Sequence, residues 1–280
     1  MIVPNMLEKE YRLAEGLNVS KYRMYWEEDG EKISYEMAQE ITPSEVMAFG
    51  TLAHCAILEP DKLDSLYVVW EGDKVKEKKR WAEYKEEHAD KIITTQARLE
   101  ALLSIGKRIK NNREAMTLLN GCETEVSMFF DMDNGAKCKA RLDVVQSREH
   151  KIADIKTTGK IGKRAFWSAV ERNGLFIQAG HYTEAYRKCY DLDFNPEFWF
   201  ICIENVAPYR IVCRPMSEEY LEYGRQKNME IVSKIKIGEV TGSWSTLADE
   251  EGIQEIRMPD YRKDKEIDAS TGVAEEGETL

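Results

Sequence analysis

The chain has 280 residues, of which 42% are hydrophobic, enough to core one large domain or two small ones. It holds no run of eighteen apolar residues, and its start, Met1-Ile2-Val3-Pro4-Asn5, lacks the basic-then-apolar pattern of a secretory signal, so no membrane contact and a cytoplasmic location are expected. The net charge of −11 argues against indiscriminate coating of nucleic acid by the whole surface, yet a local basic patch remains compatible with it.

Part of that charge is local. Asp264 to Leu280 holds six acids and one lysine, which leaves −6 for the rest. The segment 259–280 lacks apolar periodicity and reads as an acidic disordered tail behind a single domain over 1–258. None of the six cysteines forms a Cys-x-x-Cys pair, so a zinc ribbon and a thioredoxin-like motif are absent and reduced, mostly buried thiols are expected.

The N-terminal part, about 1–121, reads as helical. Its opening stretch to about Gln39 is polar and aromatic, with Tyr22, Tyr25 and Trp26 together. Thr42-Pro43-Ser44-Glu45 forms a capping box with proline at the first helical position, followed by an apolar stripe of Val46, Phe49, Ala53 and Ile57. Residues 73–80 are a charged run that suits a solvated loop or a DNA-backbone contact. A second helix is expected from Thr95 to about Asn111, with Leu99, Leu102, Leu103 and Ile109 inward, and a short one ending at Leu119 before Gly121.

The pattern then changes to a mixed α/β core over about 122–245. Segments 124–132 and 136–146 flank Asp133-Asn134-Gly135, a hairpin signal. A third strand runs from Lys151 to Thr157. Helices are expected over Ile161–Val170 and Leu175–Tyr190, then strands at about 197–204 and 207–214, then a helix from Ser217 to about Lys236. Three consecutive strands feeding a helix define an α/β fold with a mixed central sheet flanked by helices.

Chemistry concentrates on the adjacent apolar strands. Asp143 and Asp154 would each be costly to bury alone, and each would raise the other's pKa. A divalent cation between them removes both penalties, and an all-oxygen set suits Mg²⁺ or Mn²⁺. Lys156 shares a face with Asp154 by strand alternation, where it could orient water or balance charge on a phosphate; a plain ion pair is the alternative. The Ile155 side chain points away, but its carbonyl could still reach a metal. Glu125 opens the first hairpin strand, with Glu123 as its competitor on the same face. His54, alone on a mostly apolar helix, reads as a core or solvent-edge histidine. Gln178, Tyr182 and Tyr186 form one helical stripe that suits either a nucleotide or the edge of the core. Lys160, Lys163 and Arg164 follow the Asp-x-Lys strand and could grip phosphates of DNA.

Taken in order, several stretches resemble the RecE-type exonucleases (exonuclease VIII) of the PD-(D/E)XK nuclease superfamily. They are Gly50-Thr-Leu-Ala-His54-Cys-Ala-Ile-Leu-Glu59-Pro60, Thr124-Glu125, Cys138-Lys-Ala-Arg-Leu-Asp143, Asp154-Ile-Lys156-Thr-Thr158, and Ile177-Gln178 followed by Tyr182 and Tyr186. The likeness extends from about Asn18 to Trp244. It implies a PD-(D/E)XK core in which His54, Asp143, Asp154 and the Ile155 carbonyl hold Mg²⁺ or Mn²⁺, Lys156 is catalytic, and Glu125, Gln178 and Tyr182 support the site. It further implies an exodeoxyribonuclease that degrades the 5′-ended strand of linear double-stranded DNA to leave 3′ overhangs. A homo-oligomeric ring, a RecT-like single-strand annealing protein as partner, and a bacterial or phage-infected host cytoplasm go with it. An endonuclease or repair nuclease of the same fold, or a catalytically silent DNA-binding module, are the alternatives; intact Asp143, Asp154 and Lys156 argue against the last. The segment between Thr158 and Gln178 is slightly longer than the family form, and the acidic tail and the lack of a downstream cysteine cluster set this chain apart from some relatives.

Overall fold

Turn chemistry at Asp133-Asn134-Gly135 organises the middle of the chain. Gly135 adopts a φ of 75°, which glycine tolerates, and the Asn134 side chain accepts the Ala136 N–H at 3.1 Å. The computed structural model of the chain describes residues 1–4, 6–27, 29–37, 44–246, 249 and 252. Its first part carries β1 (Ile2–Val3), α1 (Glu8–Leu13), α2 (Val19–Glu27), α3 (Gly30–Met37), α4 (Glu45–Leu58), a 3₁₀ turn, α5 (Leu63–Leu66), β2 (Tyr67–Val69), α6 (Lys78–Glu87), β3 (Ile92–Thr94), α7 (Gln96–Lys110) and α8 (Arg113–Leu119). The second part carries β4 (Glu123–Asp131), β5 (Lys137–Gln146), β6 (Lys151–Thr158), α9 (Lys163–Arg172), α10 (Leu175–Tyr190), β7 (Glu197–Glu204), β8 (Ile211–Pro215) and α11 (Glu218–Thr241).

Six strands form one sheet in the order β1-β4-β5-β6-β7-β8. Every neighbour pair is antiparallel except β6 and β7, which are joined through α9 and α10 and run parallel. The hairpin folds about Asn134, so Val126 meets Leu142 and Met128 meets Ala140. Helices cover both faces, as the mixed α/β reading expects. On one face α10 packs with Val126, Met128, Leu142, Ile152, Phe198 and Phe200. On the other, α4, α7 and α8 pack with Val144, Ala153, Ile155, Ile201 and Ile203. A separate two-stranded parallel sheet, β2 with β3, has no counterpart in the sequence reading.

Helix α10 is buried along nearly its whole length between the sheet and α11. Glycine permits the close crossing: a Cβ on Gly224 would stand 2.1 Å from the Phe176 carbonyl oxygen, and one on Gly180 would stand 2.6 Å from Gly224 backbone. Buried His181 and Glu184 on it are partnered, whereas Thr183 Oγ1 has no hydrogen-bond partner among the described residues. His181 Nε2 bonds the Lys139 carbonyl at 2.9 Å, and the Arg225 guanidinium donates to Glu184 at 2.7 Å.

Several sequence expectations need correction. The cap of α4 is Ser44, whose Oγ accepts the Met47 N–H at 3.3 Å; Thr42 and Pro43 lie outside the described residues. Val46 and Leu103, expected inward, are exposed, because Ala101 and Ile105 carry the buried stripe of α7 and Phe49 that of α4. The run at 73–80 is not one solvated loop. Asp73 accepts the Val75 and Lys76 N–H groups, Lys74 pairs with Glu45 and Arg80 with Glu77, and α6 begins at Lys78. The acidic segment 259–280 lies outside the described residues. The N-terminal stretch is stitched to the core: β1 pairs with β4, and the Lys139 ammonium donates to the carbonyls of Tyr11, Arg12 and Ala14. Four of the six cysteines are buried, and all are free.

Candidate active site

The site forms where the sheet opens. The β5–β6 ladder pairs Gln146 with Lys151, Val145 with Ile152 and Val144 with Ala153, and goes no further. In place of the next rung, the Asp143 side chain accepts the Ile155 N–H at 2.8 Å. The β4–β5 pair is distorted at the same level. Glu125 stands opposite Asp143, nine residues to either side of Asn134, and takes a φ of 52°. Apolar alternation switches faces there: Leu142 packs toward α10, whereas Val144 packs toward α4 and α7.

His54 reaches this opening from α4. Its Nε2 lies 2.9 Å from the Ile155 carbonyl oxygen, and its Nδ1 lies 3.3 Å from Asp143 Oδ2. Ligand atoms of His54, Glu125 and Asp143 lie within 4.8 Å of one another. Burial pushes the Asp143 carboxyl above its usual range, and the Asp154 charge adds to that; His54, Lys156 and the Ile155 N–H oppose it. Glu125 is pushed up likewise, by burial first and then by Asp143, against the pull of Arg141.

Asp154 is 2% exposed and faces the α10 side. Its Oδ2 is 2.6 Å from Lys156 Nζ, and its Oδ1 accepts the Gln178 Nε2–H at 2.6 Å. The shared face of Asp154 and Lys156 read from strand alternation is therefore present. Tyr182, one turn beyond Gln178, is buried beside them. Burial raises its phenol pKa most, and the charges of Asp154 and Asp143 raise it further.

Residues 26–250 match the family described as PDDEXK-like domain of unknown function (DUF3799). The chain belongs to this family. The PDDEXK-like fold also appears in a crystal structure of a candidate exonuclease from Eubacterium rectale, with a TM-score of 0.62 at 16% identity, covering 97% of this chain and 100% of that one. A phage-related exonuclease from Haemophilus somnus 129PT matches with a TM-score of 0.36 at 13% identity, over 83% of this chain and 98% of that one. No curated protein sequence matches the chain.

The PDDEXK-like domain gathers the residues singled out in the sequence in two adjoining groups. His54, Asp143 and the Ile155 carbonyl come together, and Glu125 joins them, while Glu123 is exposed and bonds Ser147. The Asp154 carboxylate is instead held by Lys156 and Gln178. This donor set fits a divalent cation: one imidazole and two carboxylates that burial makes costly to charge lie within ligand spacing of one another, and the Ile155 carbonyl is 2.9 Å from the imidazole. Tyr186 leaves the stripe, since its ring is fully buried and its hydroxyl meets His150 at 3.2 Å. Lys160, Lys163 and Arg164 are exposed on and before α9 and make no ion pair among the described residues.

Sequence reasoning quoted Arg141 in its motif but gave it no role in the site. Its Nε donates to Glu125 at 2.7 Å, and its Nη1 donates to the Met6 carbonyl and to Ser127 Oγ. It fixes the Glu125 carboxylate and ties the N-terminal segment to the rim of the site. The hairpin centre carried the signal, because folding about Asn134 places Arg141 opposite Ser127, two residues from Glu125.

Proposed function

We propose that the chain is a metal-dependent exodeoxyribonuclease of RecE type that degrades the 5′-ended strand of linear double-stranded DNA and leaves 3′ overhangs for recombination by strand annealing. The observation that carries the reading is the opening between β5 and β6, where His54, Glu125, Asp143 and the Ile155 carbonyl converge beside an Asp154–Lys156 pair. His54, Asp143 and the Ile155 carbonyl, with Glu125 and Asp154 at hand, would hold Mg²⁺ or Mn²⁺. When bound, such an ion lowers the pKa of water and polarises a phosphoryl oxygen.

The chain's own residues then have defined tasks. Asp154 holds the Lys156 ammonium in place, and Gln178 fixes the Asp154 carboxylate. Lys156, 22% exposed, can donate to the attacking water and to the phosphate as charge builds there. Arg141 keeps Glu125 oriented, and buried Tyr182 closes the wall of the pocket. Lys160, Lys163 and Arg164 grip the DNA backbone. A homo-oligomeric ring around the duplex, a RecT-like annealing protein as partner and a cytoplasmic location complete the proposal. Among the described residues, no helix is long and apolar enough to cross a membrane.

Linear and circular plasmids incubated with the protein and Mg²⁺ test this reading. Loss of linear DNA alone, with label released from 5′ ends first, supports it. Cutting of circles points to an endonuclease, and no cutting by wild type points to a DNA-binding module. Lys156→Ala should still bind DNA and lose cleavage.

A further inference from the structure

An aromatic groove lies on the same face of the sheet as Asp154. Asp154, Phe200 and Arg214 stand in register across β6, β7 and β8. Arg214 is therefore two strand spacings, roughly 10 Å, from Asp154. Phe200 and Arg214 floor a groove of about 570 Å³, walled by Phe166 and Trp167 of α9, by Met216, and by Tyr220 of α11.

Two properties of this groove point to a ligand. The first is flat, accessible aromatic surface. Trp167 is 57% exposed, and Lys163 Nζ stands 4.5 Å from the centroid of its ring. The second is positive charge. Arg214 Nη2 donates to the Ile161 carbonyl at 2.8 Å and its guanidinium lies over the Phe166 ring, while its buried Nε has no hydrogen-bond partner among the described residues. Lys160, Lys163 and Arg164 are exposed nearby. Glu171 is the acid of the lining, and its carboxylate already takes the Tyr220 hydroxyl.

Rings to stack on, with cations beside them, recognise a nucleobase together with its phosphodiester. A paired base keeps both faces covered by its neighbours in the duplex, so the fitting occupant is a nucleotide that has left pairing. We propose that this groove holds an unpaired nucleotide of single-stranded DNA, its base stacked on Trp167 and its phosphate met by Lys163, Arg164 and Arg214. For its substrate class this rests on the nuclease reading. It adds that the strand is opened before it reaches Asp154.

The test is fluorescence anisotropy of the full chain, in EDTA, with a labelled oligothymidylate and a blunt duplex of the same length. Trp167→Ala should bind the oligothymidylate about tenfold more weakly. Its affinity for the duplex, its melting temperature and its mass in solution should stay as in wild type. Trp167→Phe should retain most of the affinity, and Arg214→Gln should lose part of it with a shallower salt dependence. Wild-type binding of the oligothymidylate by Trp167→Ala would overturn the proposal. So would a change in mass with no change in affinity, since the face would then join copies of the chain. If wild type cuts DNA while Trp167→Ala binds normally, the groove falls and the nuclease stands. If wild type cuts nothing while Trp167→Ala loses single-strand binding, the nuclease falls and the groove stands.

Discussion

Replacing Lys156 by methionine separates the cost of a buried charge from the loss of the ammonium group proposed to act on the phosphate. Asp154 is 2% exposed, and its carboxylate is held by Lys156 and Gln178, each at 2.6 Å. Removing one partner of a buried ion pair costs about 3–5 kcal/mol. Lys156 is 22% exposed, so water can partly replace it, and the lower end, about 3 kcal/mol, applies. For a chain of this size that lowers the melting temperature by roughly 6 °C. Asp154→Asn combined with Lys156→Met removes both charges and keeps an oxygen for Gln178, so its stability should return to within about 1 kcal/mol of wild type. Cleavage should not return: each variant should lose on the order of 10²-fold or more in rate. Thermal melts in EDTA and digestion of end-labelled linear DNA in Mg²⁺ read the two effects independently. A single variant that melts with wild type would refute the buried pair, and a double variant that stays as unstable as the single one would refute its electrostatic origin.

Three further outcomes follow from the geometry. His54→Ala and Glu125→Gln should each weaken Mn²⁺ binding by roughly tenfold or more, measured by calorimetry; unchanged affinity in both would place the ion elsewhere. His181 is fully buried, and desolvation pushes its pKa down from the usual 6.5 to about 4. The unfolded chain therefore binds more protons between those values, so this contribution is complete above about pH 6.5 and fades as pH falls toward 4, by about 3 kcal/mol in all. Urea unfolding should show a weaker loss between pH 6.5 and 5 in His181→Gln than in wild type, and parallel curves would contradict that. Gly224→Ala drives a Cβ to 2.1 Å from a carbonyl oxygen and should cost about 3 kcal/mol of stability; less than about 1 kcal/mol would show that α10 and α11 can part easily.

Much of the second half was legible because its signals are local. Glycine and asparagine fixed the hairpin centre, and apolar runs marked β4 to β7. Helix α10 spans Leu175–Tyr190, as its pattern implied. Asp154 and Lys156 share a face because a strand has period two, and the observed ion pair follows from that. What stayed hidden depends on contacts between distant parts of the chain. His54 has no local feature that sets it apart from a core histidine; only the arrival of α4 over Ile155 brings it to the opening between β5 and β6. The pairing of β1 with β4 and the capture of Tyr11 to Ala14 by Lys139 join residues more than a hundred positions apart. The face switch at Glu125 and Asp143 breaks the alternation on which strand reading relies.

The missing rung between β5 and β6 has a wider consequence. A sheet gains by zipping to its end, yet here a side chain occupies the place of the next backbone partner and keeps the two strands ajar. Valine at 143 would let that seam close, and the resulting molecule should be sturdier and inert. The opening where His54, Glu125 and Asp143 meet exists only as long as the weave stays unfinished.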